Sequence, residues 1–542
     1  MNGLMMNDAL LISDLLRHAE TYHGDTEIVS RLPDAEGAIH RSSWAKVAAR
    51  SRRVANLLDQ LQLPPQAMVA TLAWNSHRHL ELYYGVSGSG RVLHTINPRL
   101  FPEQIQWIVN HAEDAVIFFD VGFAALVDAL APLCPSVKHW VALASAATLP
   151  KMKNISPQAY ESLIAASPEA YTWPAFDERT AASLCYTSGT TGNPKGVLYS
   201  HRSTLLHAFA TCLPDVMSLS ARDVVLPVVP MFHVNAWGLP YSCALTGAKM
   251  VLPGAGLDGP SLYELLEGER VTFSAGVPTV WLGLLQHLQK SGLRFTKPWR
   301  SIVGGSAVPP ALMKTYWDEY GIRIHHGWGM SEMSPLGTYN TLKEKHLALS
   351  EVEQFAVQVK QGRPIFGVQM KILNDAGKQL PHDGKAFGDI WVRGPWVVSG
   401  YFKLENSPVR EGWFPTGDVG TMDSDGYLQI TDRSKDVIKS GGEWISSIDL
   451  ENVAMSHPAV AEAAVIGVAH PKWDERPLLI VVKKSGAPLT REEMLAHLTG
   501  RIAKWWLPDD VVFVAEIPHT ATGKISKLQL RQQFKDHRLP FA

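Results

Sequence analysis

Cysteine is scarce in this chain, and its few copies lie far apart. The 542 residues contain four cysteines, with no CxxC pair and no His/Cys cluster at zinc-site spacing. This pattern is typical of a reducing compartment, in which disulfides do not persist. We therefore expect a cytoplasmic protein without a cysteine-based metal site.

An excess of charge of either sign is also missing. The chain has 50 basic and 52 acidic residues, for a formal net charge of -2, and the two signs are mixed along the sequence. A broad cationic face for nucleic acid is therefore not expected. Any anion-binding site has to be local.

Long apolar runs are absent as well. No uninterrupted run approaches the roughly 18 residues needed to cross a bilayer, so we expect no integral membrane segment. At the N-terminus, residues 1–20 place leucines and an isoleucine at helical spacing around Asp8 and Asp14, which predicts an amphipathic helix. Peripheral membrane contact stays open, as does a homodimer, because the sequence does not determine the oligomeric state.

Apolar side chains, by contrast, are abundant. Hydrophobic residues make up 46% of a chain that is too long for one ordinary core, so at least two domains are expected. Short apolar runs such as 182–186 and 224–229 alternate with helical patterns, which is typical of an α/β fold with strands buried on both faces. A turn signal at 423–426 indicates a β-rich lobe. A small α+β unit is expected after Asp432, with a helix over residues 492–502.

The most informative segment is Tyr186 to Val197, YTSGTTGNPKGV. Its glycines let backbone amides turn toward an anion, its hydroxyls add donors, and Lys195 adds a positive charge. The GxxGxxK spacing differs from the GxxxxGK[ST] of a Walker A loop, so a generic GTPase or kinase is disfavoured. A Gly/Ser/Thr surface loop is the plain alternative for a stretch of this kind.

Taken with four later segments, this loop resembles the adenylate-forming superfamily of acyl-CoA synthetases, peptide-synthetase adenylation domains and luciferases. The later segments are WGMSE ending at Glu332, TGD ending at Asp418, DR ending at Arg433 and TGK ending at Lys524. The resemblance covers nearly the whole chain and implies an acyl-CoA synthetase-like α/β fold. It implies a large multi-lobe N-terminal domain with α/β sheets and a β-rich lobe (1–431), a hinge at Lys435 (432–437) and a small mobile α+β domain (438–542).

The resemblance also implies a nucleotide site. Lys195, Glu332 and Lys524 would be catalytic together with His233, and Thr187 and Glu332 would hold Mg²⁺ through oxygen ligands. Ser331 stands where members of this superfamily usually have threonine, and either side chain offers one hydroxyl. The implied ATP- or AMP-binding residues are Thr187, Ser188, Gly189, Thr190, Thr191, Gly192, Lys195, Gly305, Ser306, His326, Gly327, Trp328, Gly329, Met330, Ser331, Asp418, Arg433 and Lys524.

Two further sites follow from the same resemblance. The acyl group would lie among His233, Trp237, Gly304, Gly305, Trp328 and Pro335, with His233 positioning a carboxylate that needs no deprotonation at neutral pH. Coenzyme A would be bound by Lys439, Gly441, Gly442, Glu443 and Trp444 after the small domain swings about the hinge. The implied reaction joins a small carboxylic acid to coenzyme A through an acyl adenylate, with ATP as the activating substrate.

The identity of the acid is open. The segments MFHVNAW, DVIKSGGEWIS and HPKWDERPLLIVVK resemble bacterial medium- and long-chain fatty acyl-CoA ligases, so such a fatty acid is the expected substrate. Ligases of 3-methylmercaptopropionate share much of this pattern, so that short acid is the alternative. An adenylating enzyme that loads a carrier protein would keep the ATP motifs but would not need KSGGEW. A non-catalytic acyl- or nucleotide-binding module could lose Glu332 or Lys524, and both are present.

Overall fold

The computed structural model describes residues 1, 3–35, 37–187, 193–441, 443–519 and 525–540, and for residues 443 and 444 it describes the backbone alone. Two large sheets dominate the first part of the chain. In spatial order the first sheet contains the strands Gln158–Ala159, His139–Ala142, Val116–Phe119, Met68–Leu72, Val92–Thr95, Ala181–Tyr186 and Gly196–Ser200. The second contains Arg363–Pro364, Leu336–Tyr339, Arg323–Gly329, Arg300–Val303, Phe273–Gly276, Val224–Pro227, Lys249–Leu252, Glu27–Arg31 and Ile39–Ser43.

Both sheets are parallel in the centre and antiparallel at an edge, as expected for strands joined by helices. Strands Val92–Thr95 and Val116–Phe119 are buried at every residue, because helices cover both faces of the sheet. The predicted strand at 224–229 ends at Pro227, since the amides of Val228 and Val229 both turn to the Ala275 carbonyl. The predicted α/β class is therefore observed.

The helices of the larger part cover the sheets and fill the space between them. The largest cluster of buried apolar residues draws on both sheets, for example on Phe118 and Ile302. The helices are Ile12–His23, Trp44–Gln60, His77–Gly88, Pro102–Ala112, Ala124–Leu130, Tyr160–Ala166, His201–Thr211, Leu239–Thr246, Gly259–Gly268, Pro278–Ser291, Pro310–Tyr320, Glu344–Leu347 and Glu351–Gln358. Among the described residues, every helix falls short of the length and apolarity that a bilayer crossing requires.

A β-rich lobe and a small α+β unit complete the chain, in the predicted order. The lobe is an antiparallel sheet of Gln369–Leu373, Phe387–Arg393, Phe414–Met422 and Leu428–Arg433. Its predicted turn at 423–426 is present, with Asp423 Oδ1 accepting from two backbone amides. The small unit contains strands Ile438–Ser440, Glu443–Ile445, Val460–His470, Asp474–Lys483 and Asp510–Val514, and helices Ser447–Met455, Arg491–Leu498 and Lys527–Gln533.

Two predicted helices differ from the observed ones at their ends. The amphipathic helix predicted over residues 1–20 begins only at Ile12. Four apolar side chains near the start of the chain are at least 85% exposed, so no burial offsets the entropy of ordering them: Met1, Leu4, Met5 and Met6. The helix predicted over 492–502 ends at Leu498, where Thr499 is extended and Gly500 has φ +79°. The predicted hinge segment 432–437 begins inside the strand Leu428–Arg433.

Candidate active site

A cavity of about 800 Å³ opens at the carboxyl ends of strands from both large sheets. Strand Ala181–Tyr186 runs into Thr187 and strand Arg300–Val303 into Gly304, and both of these following residues lie on the cavity wall. Ligands bind at this edge of α/β sheets because the loops that follow the strands converge there. The wall also includes residues from near the end of the chain: Ile525, Ser526, Lys527, Leu528 and Gln529.

The glycine-rich segment is the loop of a hairpin. Its strands Ala181–Tyr186 and Gly196–Ser200 pair antiparallel. The Thr187 amide donates to the Lys195 carbonyl at 2.9 Å, and the Lys195 amide approaches the Thr187 hydroxyl oxygen at 3.4 Å. The hairpin thus brings Thr187 and Lys195 together on the cavity wall. The predicted phosphate contacts between them, Ser188, Gly189, Thr190, Thr191 and Gly192, lie outside the described residues.

Glu332 and Lys195 are linked by a tyrosine that the sequence reasoning missed. Glu332 is only 8% exposed, and its Oε1 accepts a hydrogen bond of 2.8 Å from the Tyr401 hydroxyl. The Lys195 Nζ lies 4.9 Å from the centroid of the same Tyr401 ring, a cation-π arrangement. Burial and the neighbouring Glu332 carboxylate raise the pKa of Tyr401, so its hydroxyl remains a donor. Tyr401 therefore fixes an anion and a cation side by side.

An Asp-Arg-Trp cluster adjoins the cavity at the β-rich lobe. Asp418 and Arg433 face each other on neighbouring strands, and the Arg433 Nε lies 2.8 Å from Asp418 Oδ1. The Trp328 indole donates to Asp418 Oδ2 at 2.9 Å. The Asp418 carboxylate is therefore held from two sides, with Arg433 and Trp328 on the cavity wall. An arginine beside a carboxylate is suited to gripping vicinal hydroxyls by charge-assisted hydrogen bonds.

The side chains of the two histidines before Trp328 are bonded to backbone carbonyls. The ring nitrogens Nδ1 of His325 and His326 lie 2.9 Å and 3.0 Å from the carbonyls of Asn340 and Val359, and each donates to its carbonyl. Burial lowers the pKa of both imidazoles to about 4, so both are neutral at neutral pH. The Nδ1 atom of His326 is therefore engaged with the Val359 carbonyl, and His326 is not among the residues of the cavity wall.

The residues predicted to hold the acyl group all lie on the cavity wall: His233, Trp237, Gly304, Gly305, Trp328 and Pro335. Glycine is required at position 304, because a Cβ there would lie 2.6 Å from the Gly327 carbonyl oxygen and 3.6 Å from the Trp237 ring. The clash is with the backbone, whereas the distance to the indole is an ordinary contact. Trp237, Ile302 and Leu336 contribute apolar side chains to the same cavity wall.

Trp237 is held by an unusual left-handed turn. Val234, Asn235, Ala236 and Trp237 have φ between +45° and +56°, and Gly238 follows at +79°. This conformation costs roughly 1–2 kcal/mol for each residue other than glycine. The side-chain amide of Asn235 donates to the Ser183 hydroxyl at 2.9 Å. This bond connects the turn to the strand that precedes the glycine-rich loop.

Lys439 and Gly441, the two predicted coenzyme A residues that the structure describes in full, are not on this cavity wall. Gly441 follows the strand Ile438–Ser440, and its amide donates to the Trp473 carbonyl at 2.9 Å. Lys439 lies on the same strand, whereas Lys435, the predicted hinge, is on the wall. Two other predicted residues, Gly442 and Lys524, lie outside the described residues, and the side chains of Glu443 and Trp444 are not described. The predicted nucleotide contacts Ser306, His326 and Asp418 are each next in sequence to a residue of the wall.

The oxygen-rich part of the wall fits a hard cation. No group of three or more His, Cys, Asp or Glu side chains that could hold a metal by itself occurs in the described ranges. Thr187 and Glu332 nevertheless lie on one wall and offer a hydroxyl and a carboxylate. Mg²⁺ is typically bound by one or two such ligands plus phosphate oxygens, so this donor set fits a metal that arrives with ATP.

Two protein-family models match this chain. Residues 15–402 match the model of the AMP-binding enzyme family, and residues 449–524 match the AMP-binding enzyme C-terminal domain. The chain belongs to the AMP-binding enzyme family. These matches confirm the expected superfamily and, with the fold above, an acyl-CoA synthetase-like architecture and an AMP-forming ligase.

Individual members of the AMP-binding enzyme family match over almost the full length. The chain is 53% identical over 537 residues to a 3-methylmercaptopropionyl-CoA ligase of Ruegeria lacuscaerulensis, covering 99% of each chain. It is 49% identical over 542 residues to a medium-chain-fatty-acid–CoA ligase of Ectopseudomonas oleovorans, covering 99% of this chain and 98% of the other. Among solved structures, ATP-bound MatB from Rhodopseudomonas palustris matches with a TM-score of 0.80 at 26% identity, over 97% and 99% of the two chains.

Proposed function

We propose that this chain is an ATP-dependent acid-CoA ligase that forms an acyl adenylate and then an acyl-CoA, releasing pyrophosphate and AMP. The observation that carries the proposal is one cavity wall shared by Thr187, Lys195, Glu332 and residues 525–529. Two of these groups are charged and held by Tyr401, and the last segment directly follows Lys524. The family membership and the relatives named above support the same reaction.

The chemistry explains why cations gather on this wall. In the first step a carboxylate attacks the α-phosphorus of an anionic triphosphate, and like charges about 4 Å apart repel by roughly 4 kcal/mol at an effective dielectric constant of about 20. Lys195 and Lys524 offset this repulsion and stabilise the charge that develops on the transferring group and on pyrophosphate. Mg²⁺, held by Thr187 and Glu332, would add Lewis-acid neutralisation of the phosphates.

The second step needs a different arrangement of the same chain. The thiol of coenzyme A has to reach the acyl carbonyl, but residues 525–529 lie on the cavity wall in this structure and Gly441 lies away from it. We propose that the small domain rotates about Lys435 after adenylation and brings the hairpin around Gly441 to the cavity. The glycines of that hairpin would permit close approach of the pantetheine arm.

Two acids are candidates for the substrate. A medium- to long-chain fatty acid follows from the sequence resemblance, and 3-methylmercaptopropionate is supported comparably by the relative from Ruegeria. Pyrophosphate release should be measured for acids from acetate to palmitate, with 3-methylmercaptopropionate included. Free acyl-CoA should be quantified in the same reactions, because an enzyme that loads a carrier protein would release pyrophosphate without making it. The absence of pyrophosphate release with every acid would overturn the proposal.

Trp237 is expected to set the upper limit on acid length. Because its indole lies on the cavity wall beside other apolar side chains, Trp237→Ala should raise the ratio of kcat/KM for palmitate to that for a short acid by about tenfold, since each methylene accommodated in an apolar pocket contributes a factor of this order. Trp317→Ala, which removes a half-exposed indole on the helix Pro310–Tyr320, is the control and should leave the ratio unchanged. An unaltered ratio in Trp237→Ala would remove Trp237 from the acyl site.

Tyr401 is expected to act through Glu332. Tyr401→Phe removes the hydroxyl that donates to Glu332 but keeps the ring beside Lys195, and a hydrogen bond to a charged group contributes roughly 1.5–3 kcal/mol. We expect pyrophosphate release at limiting Mg²⁺ to fall about tenfold, with partial recovery at high Mg²⁺. In the control Tyr263→Phe, the lost hydroxyl donates to the Arg294 carbonyl away from the cavity, and no change is expected. A Mg²⁺ dependence identical to that of the unaltered enzyme would contradict this role.

A homodimer, peripheral membrane contact, a cytoplasmic location and the absence of nucleic-acid binding stay predictions from the sequence.

A further inference from the structure

A buried carboxylate at the end of the β-rich lobe holds the small domain. Asp432 lies on the strand Leu428–Arg433, opposite Val419, and is 1% exposed. Its Oδ2 accepts from the Ser447 amide at 2.8 Å and from the Ser447 hydroxyl at 2.5 Å. Ser447 is the first residue of the helix Ser447–Met455, so a carboxylate in the last strand of the β-rich lobe caps a helix of the small domain.

A second contact between the same two segments reinforces this cap. The Ser446 hydroxyl donates to the Thr431 carbonyl at 2.5 Å, one residue before Asp432. Ser446 also caps its own helix by accepting from the Asp449 amide at 3.1 Å. The start of this helix is therefore attached to the β-rich lobe through both a hydroxyl and a backbone amide.

The cap continues to the segment that lies on the cavity wall. Lys527 begins the helix Lys527–Gln533, and its Nζ contacts the Ser447 hydroxyl and lies 2.7 Å from Glu451 Oε1. Burial lowers the pKa of Lys527, but attraction to Glu451 and Asp432 outweighs it and raises the pKa overall, so the ammonium stays charged. Asp432 is thus connected through Ser447 to the residue three positions after Lys524.

These contacts distinguish the two orientations of the small domain. Ser447, Glu451 and Lys527 belong to the small domain and move together, whereas Asp432 is fixed in the sheet of the β-rich lobe. The orientation proposed for thioester formation brings the hairpin around Gly441 to the cavity. Asp432 precedes the proposed hinge Lys435 and Ser447 follows it, so a rotation about Lys435 moves Ser447 relative to Asp432.

We propose that Asp432 is a positioning residue that selects the adenylation orientation by capping the helix Ser447–Met455 across the domain boundary. Its loss lets the small domain leave this orientation more readily, so that Lys524 is less often presented to ATP. The thioester step, in which the cap is already broken, does not depend on it. The inference rests on the proposed two-step reaction and adds a residue that acts in one step alone.

The test separates the two half-reactions in the full-length enzyme. Asp432→Asn weakens the cap by removing its charge, and pyrophosphate release with ATP and acid is expected to fall about tenfold while thioester formation from supplied acyl adenylate and coenzyme A stays within about twofold. Ser447→Ala, which keeps the amide donor, should give a smaller effect in the same direction. In the control Glu493→Gln, a carboxylate that caps the helix Arg491–Leu498 inside the small domain is lost, and neither half-reaction should change.

Several outcomes would overturn the inference. Equal loss of both half-reactions in Asp432→Asn would indicate a structural role only. A lowered midpoint of thermal unfolding, with an unchanged ratio of the adenylation rate to the thioester-forming rate, would indicate the same. Unchanged adenylation would show that the cap does not limit the orientation. These results differ from failure of the proposed function itself, in which the unaltered enzyme would release no pyrophosphate with any acid.

Discussion

Replacing Lys524 by alanine lowers the rate of acyl-adenylate formation by about 10²- to 10³-fold, the loss expected when one preorganised group that stabilises transition-state charge is removed. Thioester formation from supplied acyl adenylate is expected to stay within about twofold of the unaltered rate, because the proposed rotation of the small domain carries Lys524 away from the cavity before that step. Both rates can be followed in single turnovers, the first by pyrophosphate release and the second by loss of coenzyme A thiol.

The matched control for this lysine lies in the same C-terminal segment. Lys535 is exposed and follows the helix Lys527–Gln533, so Lys535→Ala changes the charge by the same amount without reaching the cavity. It should leave both half-reactions intact. Pyrophosphate release at the normal rate by Lys524→Ala would show that another cation performs the adenylation step.

Glu332→Gln is expected to reduce Mg²⁺-dependent turnover about 100-fold, because it removes a negative metal ligand while preserving the size of the side chain and an oxygen that can accept from Tyr401. The apparent Mg²⁺ requirement for pyrophosphate release should rise in parallel. A titration of initial rate against Mg²⁺ at saturating ATP measures both effects.

A nearby exposed carboxylate provides the comparison for Glu332. Glu344→Gln, at the start of the helix Glu344–Leu347, changes the net charge equally but lies on the surface. Its Mg²⁺ dependence should match that of the unaltered enzyme. If Glu332→Gln also keeps normal turnover and normal Mg²⁺ dependence, the metal is held elsewhere.

The parts of the site that the sequence predicts best are those in which backbone chemistry and a short motif coincide. Glycines and hydroxyls next to Lys195 require a tight loop after a buried strand, and the structure has the flanking strands of such a hairpin. Asp418 and Arg433 are 15 positions apart, a spacing that an antiparallel pair with one turn converts into direct neighbours. The loop was predicted from its own residues, whereas Asp418 and Arg433 were identified through the family resemblance, and the strand pairing explains why they lie side by side.

Contacts between distant segments could not be predicted from local sequence patterns. Tyr401 follows Glu332 by 69 positions, and a tyrosine in SGYFK gives no chemical signal until the chain places it beside a carboxylate and a lysine. Asp432 was interpreted only as part of a hinge, although folding buries it against Ser447. The N-terminal helix was predicted too long because helical spacing does not report which apolar residues find a packing partner.

The left-handed turn at 234–237 links two properties that are usually adjusted separately. Its backbone conformation is one that glycine adopts without penalty, yet the chain carries valine, asparagine, alanine and tryptophan there. Substitutions that relax this turn are expected to strengthen the folded state and, at the same time, to free the indole that lies on the cavity wall. If Trp237 limits acid length as proposed, heat resistance and the choice of acid are coupled through four consecutive residues.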